Sequence, residues 1–226
     1  MERLVPEFCS DHRRNFEPSG FREESLTVSE EDARYFMWAW DSDLIEHHGR
    51  GIYRAAKSKA GEQFFWEGPR AASPRMFTLW MEPVITVGGL ARLHFDFDWP
   101  KESIGCQSQD WAFDLVAILP NQTNEYIACE VKKASREIDY LADAMQAFGR
   151  DPIAIEPRVP GKLRNAFKKV GALRSRKIPL FWALGPNGDS RVFRVSYNDN
   201  GAVTFSPAFP EALSFPRGPQ TSAMLS

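Results

Sequence analysis

Cysteine is nearly absent. Cys9, Cys106 and Cys129 are the only three in 226 residues, they lie far apart, and no CxxC pair exists. That argues against a disulfide framework and a cysteine-built zinc site. Cys129 falls inside an apolar strand pattern, where a thiol serves as a small core residue. Histidine is equally sparse. His47 and His48 are adjacent, while His12 and His94 are remote, so no ligand spacing supports a histidine metal site and the pair is expected at the surface or in a cap. No apolar run reaches membrane-spanning length, and the amino-terminal MERLVPEFCSDHRRNFEP lacks the apolar block of a secretory signal. The expectation is a soluble, cytoplasmic protein. There is no GxSxG and no GxxxxGK[ST], and Gly-Pro-Asn-Gly at 185–188 follows a strand as a turn instead of opening a helix. Nothing therefore supports a Ser-His-Asp hydrolase, a phosphate-cradling P-loop or a dinucleotide fold. Charge of one sign is also missing: the formal net charge is −2 and the pI about 6.1, so nucleic-acid affinity has to come from a local patch.

What is present is enough apolar residue, 43 %, to bury one core. Residues 1–28 mix charges, prolines and isolated aromatics without a period and read as an irregular arm. Residues 29–205 read as the domain. The stretch 206–226, with Pro207, Pro210, Pro216 and Pro219, reads as an irregular tail. Ser29 followed by Asp32, with Glu30 and Glu31 between them, predicts a helix start near residue 30. Helical spacing continues through Tyr35, Phe36, Ala39, Trp40 and Leu44 to Ala55-Ala56, as one helix or as two broken at Gly49-Arg50-Gly51.

From Met76 the texture turns to strand. MFTLWMEPVITV, then Gly88-Gly89, then LARLHFDFDW predicts a hairpin in which Leu93, Phe95, Phe97 and Trp99 alternate with His94, Asp96 and Asp98. WAFDLVAIL and EYIACEVKK, joined by a turn over Pro120 to Asn124, predict a second, largely buried strand pair. Ile138, Leu141, Ala142, Met145 and Phe148 mark a helix that Gly149 ends, and Leu163, Ala166, Phe167, Val170 and Leu173 mark another. PLFWALG predicts a buried strand, and SRVFRVSY with AVTF a closing hairpin.

Chemistry concentrates on the second strand pair. Alternation puts Ala112, Asp114, Val116 and Ile118 on one side of their strand and Trp111, Phe113, Leu115 and Ala117 on the other. On the neighbouring strand Glu130 and Lys132 share a face with Tyr126 and Ala128. A carboxylate in a buried strand costs several kcal/mol unless it is paired or bound to a cation. In the bland account, Lys132 neutralises Asp114 or Glu130 near solvent. In the functional one, the carboxylates are hard oxygen ligands for Mg²⁺ or Mn²⁺, and lysine orients or helps deprotonate an attacking water.

Asp114, the sixteen-position step to Glu130-Val131-Lys132, a helix before the strands and a helix then a strand after them resemble the PD-(D/E)XK nuclease core. The resemblance spans residues 30 to 185 and implies an α/β fold with an αβββαβ core, a central mixed sheet flanked by helices. Asp114, with Phe113 where the family name has proline, matches the first acid, Glu130 the second and Lys132 the lysine. The family's helix-borne glutamate falls to Glu46, with Glu31 and Glu62 as rivals, and a helix glutamine to Gln146. Metal ligation is then expected at Asp114, Glu130 and Glu46, with Mg²⁺ or Mn²⁺ as cofactor and DNA as substrate, cut by an endonuclease. The resemblance also admits a homodimer.

Between Glu156 and Asp189 there is no acid, while Arg158, Lys162, Arg164, Lys168, Lys169, Arg174, Arg176 and Lys177 fall there. Lys133, Lys162, Arg164, Lys168 and Lys169 are the candidate phosphate contacts; a solvated helix face balanced by acids elsewhere is the alternative. Trp99 and Trp111 flank the polar loop as stacking platforms or, by default, core residues. Two rival functions stay open. One is a catalytically inactive module of the same fold that binds DNA or a protein partner in a defence, repair or mobile-element system. The other is a small interaction protein in which Glu130 and Lys132 form an ordinary surface pair.

Overall fold

The computed structural model describes residues 4–10, 16–21, 28–49, 51–67 and 75–216. The sequence-based expectations for 1–3, 11–15, 22–27 and 217–226, irregular arm and irregular tail, lie outside the described residues. What is described of the arm is ordered: helix α1 (Leu4–Cys9) and strand β1 (Phe16–Phe21). Leu4, Val5, Phe8, Cys9 and Phe16 are buried in the main core, which is why this segment does not behave as a peripheral arm.

Helix α2 (Glu30–Asp41) starts where the capping signal predicts. The Ser29 hydroxyl accepts from Asp32 N (3.0 Å) and donates to the Asp32 carboxylate (2.8 Å). The helix does not reach residue 56. It ends at Asp41, and the chain then makes short strands β2 (Glu46–His47), β3 (Ile52–Arg54) and β4 (Glu62–Gln63), a small antiparallel sheet, with Gly49 and Gly51 at positive φ where the backbone reverses. Strands β5 (Phe65–Glu67) and β6 (Arg75–Leu79) join β1 in a second small sheet.

The expected hairpin over 76–99 is corrected. Only its start is strand, and Met81–Phe95 forms helix α3. Pro83 sits in the first turn, where its missing N–H is not needed. The Gly88-Gly89 pair is not a turn but a point of close approach: a Cβ on Gly89 would lie 2.8 Å from Leu184 Cδ2 and 2.9 Å from Leu115 Cδ1. The helix is buried almost all round, so it lacks the polar stripe by which a surface helix announces itself. Asp96 and Asp98 consequently sit beyond the helix end, not on a strand face, and Asp96 accepts a hydrogen bond from the Tyr35 hydroxyl (2.7 Å).

The remaining elements follow their periodicity: strands β7 (Ile104–Cys106), β8 (Leu115–Ile118) and β9 (Glu125–Val131), helices α4 (Ser135–Arg150) and α5 (Lys162–Arg176), then β10 (Leu180–Leu184), β11 (Ser190–Tyr197) and β12 (Val203–Ala208). They make a six-stranded mixed sheet in the order β12-β11-β10-β9-β8-β7, antiparallel throughout except for the parallel pair β9–β10. Helices cover both faces. Ile127, Cys129, Val131, Leu180, Trp182 and Leu184 face the core shared with α2 and α3, whereas Ala128, Phe181 and Ala183 face the one shared with α4 and α5. Both faces of the central strands are buried, which accounts for their continuous apolar runs. The tail is also more regular than expected. β12 extends to Ala208, and a 3₁₀ turn at Pro210–Leu213 offers the Leu213 carbonyl to Trp99 Nε1 (2.6 Å), fastening the segment to the buried indole. Among the described residues, no helix is long and apolar enough to cross a membrane.

Candidate functional site

Asp114 immediately precedes β8 and stands across from Glu130 in the antiparallel pairing, continuing the register Leu115↔Cys129. Its N–H donates to the Cys129 carbonyl (3.0 Å), and its Oδ2 accepts from Val131 N (2.8 Å). Strict alternation breaks just here: Leu115 and Ala117 belong to the α3-side core, but Phe113 belongs to the α5-side core. The cause is the β7–β8 loop. Gln107 and Trp111 adopt positive φ (56° and 57°), and the Ser108 hydroxyl accepts from both Ala112 N and Phe113 N (3.0 Å each). Such a kink re-aims the side chains at a strand end.

Glu130 is 5 % exposed and carries an ammonium on each oxygen. Lys132 Nζ is 2.6 Å from Oε1, and Lys169 Nζ, from α5, is 2.5 Å from Oε2. Lys132 also donates to the Val131 carbonyl (2.7 Å), and Lys169 to that of Ala112 (2.5 Å). These contacts order the charges. Burial, reinforced by the neighbouring Glu130, pushes the Asp114 carboxyl well above its usual range. Burial works against the Glu130 charge as well, but Lys169 and Lys132 outweigh it and hold that carboxyl below its usual range. Burial likewise opposes the Lys132 charge, and Glu130 and Asp114 outweigh it, so its ammonium is held more tightly than usual. A proton on the pair therefore resides on Asp114.

A cavity of about 160 Å³ opens beyond the end of β9, lined by Glu82, Glu130, Lys132, Glu137, Tyr140, Lys162, Lys169 and neighbours. Beside it runs a groove of about 560 Å³, lined by Asp110, Trp111, Asn165, Lys168 and the small residues of α5. Asn165 and Lys169 line both.

The chain matches no family model, no curated protein and no solved structure.

Of the expected site residues, the structure brings Asp114, Glu130 and Lys132 together and places others elsewhere. Glu46 is not late in a helix; it is exposed on β2, 3.4 Å from His48 Nε2. Its rival Glu31 is paired with Arg92 (2.8 Å), and Glu62 is buried on β4, accepting from Gln107 Nε2 (2.7 Å). Gln146 faces a different hollow, between α4 and the β11–β12 edge. Two helices do bring carboxylates to the cavity: Glu82 in the first turn of α3, and Glu137 in the first turn of α4, which is paired with Lys162. The apolar texture around Glu82 is strand-like, although Pro83 following an acid is a helix-start signal.

The basic stretch is partly balanced by acids outside it. Lys162 pairs with Glu137 (2.9 Å), Arg164 with Glu156 (2.5 Å) and Arg176 with Glu125 (2.9 Å). Lys169 points inward to Glu130, and Lys133 and Lys168 are exposed. Trp99 is core; Trp111 is 73 % exposed on the lip of the groove.

The donor set accords with a small hard cation. Mg²⁺ takes one or two carboxylates and fills its remaining positions with water and substrate oxygens, and Asp114 and Glu130 supply two. Among the described residues, no group of three or more His, Cys, Asp or Glu lies close enough to form a complete protein cage.

Proposed function

We propose that this chain is a metal-dependent DNA nuclease of the PD-(D/E)XK type. The observation that carries the reading is the meeting of Asp114 and Glu130 across one strand pair, with Lys132 on Glu130 and both Glu130 and Lys132 lining a cavity. Element order supports it. Helix α3, strands β7 to β9, helix α4 and strand β10 follow the helix, three strands, helix, strand order of the restriction-endonuclease-like core, with α5 inserted before the last strand.

Asp114 and Glu130 would hold Mg²⁺ or Mn²⁺, and Glu82 lines the cavity beside Glu130 without completing a three-acid ligand set. A bound divalent ion supplies a more acidic water and charge stabilisation at the phosphoryl oxygens. Lys132 Nζ, fixed by Glu130 and the Val131 carbonyl, orients the attacking water and holds a proton beside it. Lys162 and Asn165, at the cavity rim, bind the phosphate. The groove beneath Trp111 continues from that rim and gives the strand a path.

The test is incubation with linear and circular DNA in Mg²⁺, Mn²⁺ and EDTA. Asp114→Ala and Lys132→Ala are expected to lower metal-dependent cleavage by at least about 10²-fold, the lower range for loss of an acid–base group, with unchanged circular dichroism. Full cleavage by both variants would sink the proposal. A second reading, a catalytically inactive module binding DNA or a protein, draws on the ion-paired state of α5. Calorimetric titration with Mn²⁺ separates the two, since a retired site takes up no ion.

A further inference from the structure

The two ammoniums on Glu130 are not equivalent. Lys132 comes from the same strand, two residues on, and its side chain is 25 % exposed toward the cavity. Lys169 comes from α5, 39 residues away in sequence, and its side chain is 11 % exposed. A buried ammonium is strongly unfavourable unless a carboxylate and further acceptors satisfy it. The fold provides these for Lys169 in Glu130 Oε2 and the Ala112 carbonyl, each at 2.5 Å. Its head therefore occupies the Glu130 oxygen that Lys132 leaves open, where a cation binding to this carboxylate would otherwise sit.

Charge bookkeeping points the same way. With both acids ionised, Asp114 and Glu130 are neutralised by Lys132 and Lys169 alone; adding a divalent ion leaves an excess of two positive charges. Two cations on one carboxylate oxygen repel at short range, most strongly where water is excluded. Lys169 has somewhere to go, because it lines both the cavity and the adjoining groove with Lys168 and Asn165. Moved outward, its ammonium would stand where a phosphodiester passes, which offsets the excess charge.

We infer that Lys169 is a displaceable internal cation: it holds Glu130 in the metal-free protein, competes with the divalent ion for that carboxylate, and is released toward the nucleic-acid phosphate when the ion binds. Lys169 is thus a positioning residue that couples metal uptake to substrate uptake. The inference rests on the metal-site reading above.

The experiment is calorimetric Mn²⁺ titration of the full chain, with thermal melting, for the wild type, Lys169→Met, Lys169→Gln and Lys169→Arg. Without metal, Lys169→Met is expected to melt lower than the wild type, and Mn²⁺ to restore it. Its Mn²⁺ affinity, and that of Lys169→Gln, is expected to rise about tenfold or more, while Lys169→Arg stays near the wild type. A gain in affinity is not produced by damage to the fold, and Lys169→Gln keeps hydrogen-bonding capacity should Lys169→Met fail to fold. If the wild type binds Mn²⁺ and the neutral variants bind it equally or more weakly, the inference is overturned and the metal site stands. If no form binds Mn²⁺, both are overturned.

Discussion

Glu62 lies 7 % exposed on β4 and accepts from Gln107 Nε2 at 2.7 Å. Burial, with Glu82 adding to it against the Gln107 hydrogen bond, pushes its carboxyl from 4.5 up to about 7. The folded protein then keeps a proton that the unfolded chain has already lost across that window. Stability from this group is greatest below the unfolded value and falls as pH rises from 4.5 to about 7, by roughly 3 kcal/mol in all. Glu62→Gln stays neutral and can still accept from Gln107. Urea unfolding between pH 4.5 and 8 is expected to show the variant gaining on the wild type as pH rises; parallel curves would refute the assignment. At the same scale, Asp114, Glu130 and Lys132 were readable from sequence because a lone charge in an apolar strand needs a partner. Lys169 was readable as basic but not as buried, because its partner is 39 residues away.

Helices α4 and α5 each contain a glycine, and their surroundings give the same substitution opposite signs. A Cβ at Gly149 in α4 would lie 2.4 Å from the Val203 carbonyl oxygen of β12, whereas one at Gly171 in α5 meets nothing within 4 Å. Alanine gains about 1 kcal/mol over glycine in a helix interior, and forcing a group into a filled space costs about 1–3 kcal/mol. Gly171→Ala is expected to raise stability by up to about 1 kcal/mol, and Gly149→Ala to lower it by up to about 2 kcal/mol after the two effects offset. Thermal melting of both checks this, and a stabilised Gly149→Ala would show that α4 can shift off β12. Helix α3 gives the same lesson in reverse. Its glycine pair looked like a turn because no local pattern reveals that Leu115 and Leu184 approach from the sheet.

Across the whole molecule, ion pairing decides how much charge faces a polyanion. Lys162, Arg164, Lys169 and Arg176 are all paired with acids, whereas Lys133, Arg158, Lys168 and Lys177 are exposed. Duplex affinity is therefore expected to fall with salt at a slope of only about −3 to −4 on logarithmic axes, close to 0.9 per phosphate neutralised. Fluorescence anisotropy across a salt series checks it, and a slope near −8 would mean that the α5 ion pairs open on binding. By itself the sequence determined the strands and helices with clear periods, α4, α5 and β8 to β12, together with the Asp114, Glu130 and Lys132 triad, because period and isolated charge are local properties. Only the tertiary structure decided that α3 is a helix, that Glu82 and not Glu46 reaches the cavity, and that Lys169 turns inward to Glu130. Each of those depends on which segments meet in space, and burial on all sides erases the polar stripe that would have announced them.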